Sequence, residues 1–210
     1  MTTQRHGRQV TLESHVELFR SNMEALKKLV ATAELAQLTG GRMLSEWRRE
    51  FAPRLFFACS VYPNRPSLWE AAKLQHLQSL VLKNGQKVYQ LLAPVEKSFN
   101  HRYEPRVPFV FPLEMTPILD FYLERGRAMM LGNKADTGAF LLNTIGSPLL
   151  VNQMTAWFEK FVRDVQGWEI TLREYRLSFS IAVMESELPK SSIQFIVQNL
   201  RHTMETAEKY

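Results

Sequence analysis

The chain has 210 residues, of which 45% are hydrophobic, enough for one domain with a sizeable core. Its net charge of +5 and pI near 9.4 are moderately basic, compatible with a nucleic-acid partner but shared by many globular proteins. A single cysteine, Cys59, excludes an internal disulfide framework and fits a reducing compartment. No apolar run reaches the length of a membrane span, and MTTQRHGRQV has no signal-peptide core, so the expectation is an intracellular protein without membrane contact.

In chain order, residues 1–10 read as a disordered N-terminus. Residues 11–32 repeat at helical period, with Val16, Phe19, Met23, Leu26 and Leu29 on one stripe. The Gln37–Arg42 break leads to a second helix over 43–59, with Pro53 inside it. Residues 11–44 form an N-terminal helical segment, and 11–59 is either a small separate subdomain or the first helices of the same core. Tyr62-Pro-Asn-Arg-Pro66 breaks the chain, and Ser67 caps a helix expected to run to Leu82 with Leu68, Ala71, Ala72, Leu74 and Leu77 inward.

Asn84-Gly85 marks a turn, and 87–92 reads as a strand. After a polar stretch, Val107-Pro-Phe-Val-Phe111 reads as a short strand at a sheet edge, where Pro108 forfeits no ladder bond. Helices are expected over 114–131, 149–165 and 172–187, with a short apolar segment over 139–143. Pro189 opens a further helix, and 203–210 begins a last one. The fold class is mostly α with a small antiparallel sheet (α+β).

The histidines His6, His15, His76, His101 and His202 show no paired metal-ligand spacing, and no glycine-rich phosphate loop is present. No cofactor is expected. The most informative stretch opens at Thr171-Leu-Arg-Glu174, which has the form of a capping box and starts a helix near Leu172. Arg173 and Arg176 lie one turn apart in its first turns, where the helix dipole disfavours cations by about 0.3–1 kcal/mol each. A bound phosphate would reverse that penalty. Alone, each has a plainer explanation, an ion pair or an arginine reaching for water.

In order along the chain, Arg65 in Asn64-Arg65-Pro66-Ser67, Lys97 in Pro94-Val-Glu-Lys97-Ser-Phe, Val107-Pro108, the pair Arg173 and Arg176, then His202 and Tyr210 resemble the catalytic domain of the tyrosine recombinase (integrase) superfamily. The resemblance covers roughly residues 45–210 and is strongest to recombinases of crypton mobile elements. Arg173 stands where the family usually has histidine, Arg201 where it has glycine, and Leu68 where glutamate is common. The family carries a further helix beyond the tyrosine, so the resemblance implies either a C-terminally truncated domain or one without that tail.

The resemblance implies DNA breaking and rejoining without metal or ATP. Tyr210 would attack a phosphate of double-stranded DNA, forming a 3′-phosphotyrosyl intermediate and freeing a 5′-hydroxyl. Arg65 and Arg176 would bind the non-bridging oxygens, with Arg173 as a third cation and His202 as a hydrogen-bond donor. Lys97 would protonate the leaving oxygen, a role worth about 10²–10⁴-fold in rate. Arg48, Arg49, Arg102 and Arg106 are candidates for backbone contacts elsewhere. The implied assembly is a tetramer on DNA, and the implied location is the nucleus in a eukaryote or the cytoplasm and nucleoid in a prokaryote. The alternatives are a catalytically impaired, recombinase-derived DNA-binding protein, a type IB topoisomerase-like enzyme, and a helical interaction protein with no nucleic-acid partner.

Overall fold

The computed structural model describes residues 10–36, 38, 40–92 and 108–200. Lys97, Arg102, Arg106, His202, Tyr210, residues 1–9 of the expected disordered terminus and the expected helix over 203–210 lie outside the described residues. The described residues form eight helices, α1 (Leu12–Ala36), α2 (Gly41–Cys59), α3 (Pro66–Ala71), α4 (Thr116–Phe121), α5 (Arg127–Leu131), α6 (Val151–Gln166), α7 (Leu172–Met184) and α8 (Lys190–Asn199). Beside them stands one three-stranded antiparallel sheet, β1 (Leu77–Val81), β2 (Lys87–Leu91) and β3 (Phe109–Val110), in the order β1-β2-β3. The protein is thus mostly helical with a small antiparallel sheet. Among the described residues no helix is long and apolar enough to cross a membrane.

The first two helices belong to the common core. Helix α1 packs on α2, α4, α6 and α7, and its Leu18 and Leu26 are fully buried together with Phe51, Phe56, Phe140, Phe158 and Tyr175. The buried stripe of α1 is His15, Leu18, Asn22, Met23, Leu26 and Ala33. That is the expected stripe rotated by about one residue: Val16 is exposed, and the polar side chains of His15 and Asn22 point inward. Each makes a hydrogen bond there, while Asn22 Oδ1 is buried without a partner among the described residues. Asn22 Nδ2 donates to the Arg54 carbonyl at 2.9 Å, and His15 bonds two elements at once. Polar residues on a buried face are invisible to a reading that counts apolar positions only.

The expected helix over 67–82 is the main correction. Helix α3 ends at Ala71, and Ala72 turns extended (φ −67°, ψ 129°). The reason is tertiary pairing. The Ala72 carbonyl accepts from Phe140 N at 2.9 Å, Leu74 N donates to the Gly138 carbonyl at 2.8 Å, and Lys73 bridges Ala139. Segment 138–140 therefore takes the backbone groups that a continuing helix would need. Beyond it, Leu77–Val81 pairs with β2 in the register Leu77↔Leu91 to Val81↔Lys87. The hairpin closes at Asn84-Gly85, with Gly85 at φ +82°, a conformation that favours glycine. The leucine spacing that suggested a helix instead leaves Leu80, Val81 and Leu82 exposed.

The other elements follow the sequence closely. Among the described residues, strand β3 pairs with β2 alone and lies at the edge of the sheet, in keeping with Pro108. The expected helix over 114–131 is a continuous helical run that widens into one π turn at Tyr122–Gly126. Buried Arg127 just after it pairs with Asp136, Nε to Oδ2 at 2.8 Å, and this hydrogen bond lowers the Asp136 carboxyl to about 2. Gly146, at φ +76°, packs its α-carbon against the backbone of Met130 and Leu131, where a side chain would collide. Pro189 caps α8 as expected.

Candidate active site

The capping box at α7 forms as its residue types dictate. Glu174 N donates to Thr171 Oγ1 at 3.2 Å, and Thr171 N donates to Glu174 Oε2 at 2.9 Å. This fixes the helix start and sets the positions of its first turn and a half in different surroundings. Leu172 and Tyr175 are buried, Arg173 is exposed, and Arg176 is half-buried.

Arg176 reaches across to the segment between α2 and α3. Its Nε donates to the Pro63 carbonyl at 2.7 Å. Pro63 and Asn64 are buried, and Asn64 Nδ2 closes the turn on the Tyr62 carbonyl at 3.1 Å. Arg65 follows as the exposed residue that caps α3, with Pro66 at the first helical position. Two peptide units separate Arg65 from the carbonyl that Arg176 holds, a span of at most about 7 Å. Arg65 and Arg176, which are 111 positions apart in the sequence, are therefore neighbours in space.

An open groove of about 400 Å³ lies at this junction, lined by Pro66, Thr155, Glu159, Thr171, Leu172, Arg173 and Arg176. Its walls come from α3, α6 and α7, which pack together. Two arginines and the start of a thirteen-residue helix face an anion favourably. Glu159 sets the opposite sign on one wall.

The remaining members of the expected set, Lys97, His202 and Tyr210, lie outside the described residues. The elements flanking them are described, and they meet. The Lys97 stretch joins β2 to β3. The His202 stretch follows α8, whose end is fixed on β3: Val110 N donates to Asn199 Oδ1 at 3.1 Å, and Asn199 Nδ2 donates to the Phe195 carbonyl at 2.9 Å. Asn199 and Leu200 are both buried.

Of the arginines suggested for backbone contacts, Arg48 is committed to the fold. Its Nε donates to the Met129 carbonyl at 2.7 Å, which fixes its orientation, whereas Arg49 is exposed.

The residue that sequence reasoning passed over is His15. Its ring lies against Phe179, with centroids 4.2 Å apart, and is almost fully buried. Its Nε2 lies 2.6 Å from the Val61 carbonyl and its Nδ1 2.8 Å from the Tyr175 hydroxyl. A carbonyl only accepts, so Nε2 carries the proton and Nδ1 accepts from Tyr175. Burial holds the imidazole neutral, lowering its pKa to about 4, and burial likewise pushes the Tyr175 phenol up. The available signal was the spacing of His15 and Asn22, a heptad apart on the face of Leu18 and Leu26.

No protein-family model matches this chain, and no curated protein sequence is significantly similar to it.

Proposed function

We propose that this protein breaks and rejoins double-stranded DNA through a tyrosine nucleophile, acting as a tyrosine recombinase-like enzyme of a mobile element. The observation that carries this reading is the bond from Arg176 to the Pro63 carbonyl, which brings the backbone two residues before Arg65 onto Arg176, itself on the wall of an open groove. Two guanidinium groups brought to one phosphodiester would match its two non-bridging oxygens. The order of elements supports it as well: an arginine-capped helix, a small antiparallel sheet, then the paired arginines at the start of a helix.

In the proposed reaction the Tyr210 oxygen attacks phosphorus as its phenolic proton passes to water, and the 5′-oxygen leaves with a proton supplied by Lys97. The enzyme holds a 3′-phosphotyrosyl ester. Attack by a 5′-hydroxyl then returns the tyrosine and reseals a strand, so no external energy source is needed. Arg65 and Arg176 offset the charge that grows on the equatorial oxygens. Arg173 adds a third cation at the groove, and His202 donates a hydrogen bond to the same phosphate. Strand exchange between two duplexes calls for four subunits, so assembly on DNA is part of the reading.

The test is a nicked suicide duplex that loses a short fragment after cleavage and traps the covalent ester. A protein–DNA adduct on a denaturing gel, absent in Tyr210→Phe, is the expected result. Tight, salt-sensitive DNA binding with no adduct from the unmodified chain would instead establish a binding protein that has lost the chemistry.

A further inference from the structure

We infer that His15 is a positioning residue for the phosphate site, holding the segment that carries Arg65 against the helix that carries Arg176. The inference deepens the proposed function and rests on it for the catalytic consequence alone. The geometry is a two-point clamp. Val61 and Pro63 present carbonyls two residues apart on one segment, while Tyr175 and Arg176 are consecutive on α7. Arg176 joins the pair directly, with its Nε on the Pro63 carbonyl. Tyr175 and Val61 are joined through the imidazole of α1, which donates to one and accepts from the other. Arg65 lies two residues beyond the second clamp point.

The two bonds of His15 use opposite faces of hydrogen-bond chemistry, and a neutral imidazole makes both in its Nε2–H tautomer. Protonation would turn Nδ1 into a donor facing the Tyr175 hydroxyl, and burial opposes that change. The clamp is set in a stiff surround. The His15 ring packs on Phe179, and Tyr175 meets Phe158 edge to face at 4.9 Å between centroids. Movement of segment 61–65 away from α7 therefore requires breaking bonds inside the core. Loss of the inner bond at Val61 leaves the outer bond at Pro63 as the tie that sets the separation of the two arginines.

The experiment follows the Arg176 Nε–H by ¹⁵N NMR, together with single-turnover cleavage of the suicide duplex and DNA affinity. Tyr175→Phe removes one bond with little change of shape, His15→Gln keeps an amide donor for the Val61 carbonyl, and His15→Leu removes both bonds. In the folded variants, hydrogen exchange at the Arg176 Nε–H should quicken by about tenfold for each bond lost, the worth of roughly one hydrogen bond. The order expected is His15→Leu fastest, the two single-bond variants intermediate and the wild type slowest. The cleavage rate should fall in the same order with DNA affinity unchanged. Wild-type exchange in Tyr175→Phe and His15→Gln overturns the clamp. Faster exchange with an unaltered cleavage rate overturns the positioning role. If the wild type cleaves no DNA, the strand-breaking reading has failed, and the exchange rates, measured without DNA, still decide the clamp. Should His15→Leu not fold, the two single-bond variants carry the same decision.

Discussion

Two arginine junctions in this protein are built on different principles. At one, Arg127 is 5% exposed, its charge is met by the carboxylate of Asp136, and its Nη1 donates to the Tyr122 hydroxyl and the Phe140 carbonyl. At the other, Arg176 is half-buried, bonds the Pro63 carbonyl through Nε, and lines an open groove with Arg173. The first ties α5 to the segment that ends α3, and it is an internal brace. The second holds two cation-bearing elements beside a surface that an anion can reach. An arginine anchored through Nε has its orientation fixed, which suits recognition of a phosphate.

If that contrast is right, substitutions at the two junctions should separate function from stability. The largest effect is expected at the groove. Arg176→Ala should lower the cleavage rate by about 10²–10³-fold, the usual cost of removing one preorganised donor from a charge-stabilising site. Its melting temperature should fall by no more than the few degrees that loss of the Pro63 bond costs. Arg176→Lys, which keeps the charge but not the Nε bond, should recover only part of the rate. A loss of rate fully accounted for by unfolding would erase the distinction between the junctions.

The next effect is a pH dependence of stability. The imidazole of His15 has a pKa of about 4 when folded, against the ordinary 6.5. Between these values the unfolded chain binds the extra proton, so stability is full above pH 6.5 and declines as pH falls through 4. The loss is about 3 kcal/mol. Urea titrations at pH 7 and pH 4.5 should show it in the wild type and show it reduced in His15→Gln. Equal pH slopes in the two proteins would contradict a neutral buried imidazole.

At the internal junction, Asp136→Asn should cost about 2 kcal/mol in urea unfolding. The value is below the 3–5 kcal/mol of a fully buried pair because the Asp136 side chain is 41% exposed. Cleavage at saturating DNA should be unaffected. The smallest effect belongs to Thr171→Ala, which removes the cap of α7 and should cost about 1 kcal/mol with a small rise in the salt sensitivity of the site.

The sequence revealed those features that are local. The Thr171 capping box, the Asn84-Gly85 hairpin, the edge strand after Pro108 and the Pro189 helix start are each set by residues within four positions of one another. The helix expected over 67–82 failed because its end is decided by segment 138–140, more than sixty residues away in the chain. The arginine pair on α7 was legible from its spacing. The reason for its placement was not, because Pro63 and His15 are joined to α7 only by tertiary contacts 113 and 160 positions long. A buried histidine that serves as a strut has no local signature beyond its place on a helix face, and a reading that searches histidines for metal spacing passes over it.

The central claim is that the groove beside Arg176 handles a DNA phosphate for attack by Tyr210. The most direct measurement is mass spectrometry of the covalent species trapped on a nicked suicide duplex. The account predicts a single phosphotyrosyl peptide containing Tyr210, formed by the wild type, strongly reduced in Arg176→Ala and absent in Tyr210→Phe. An adduct mapped to another residue, or one that persists in Tyr210→Phe, would contradict it.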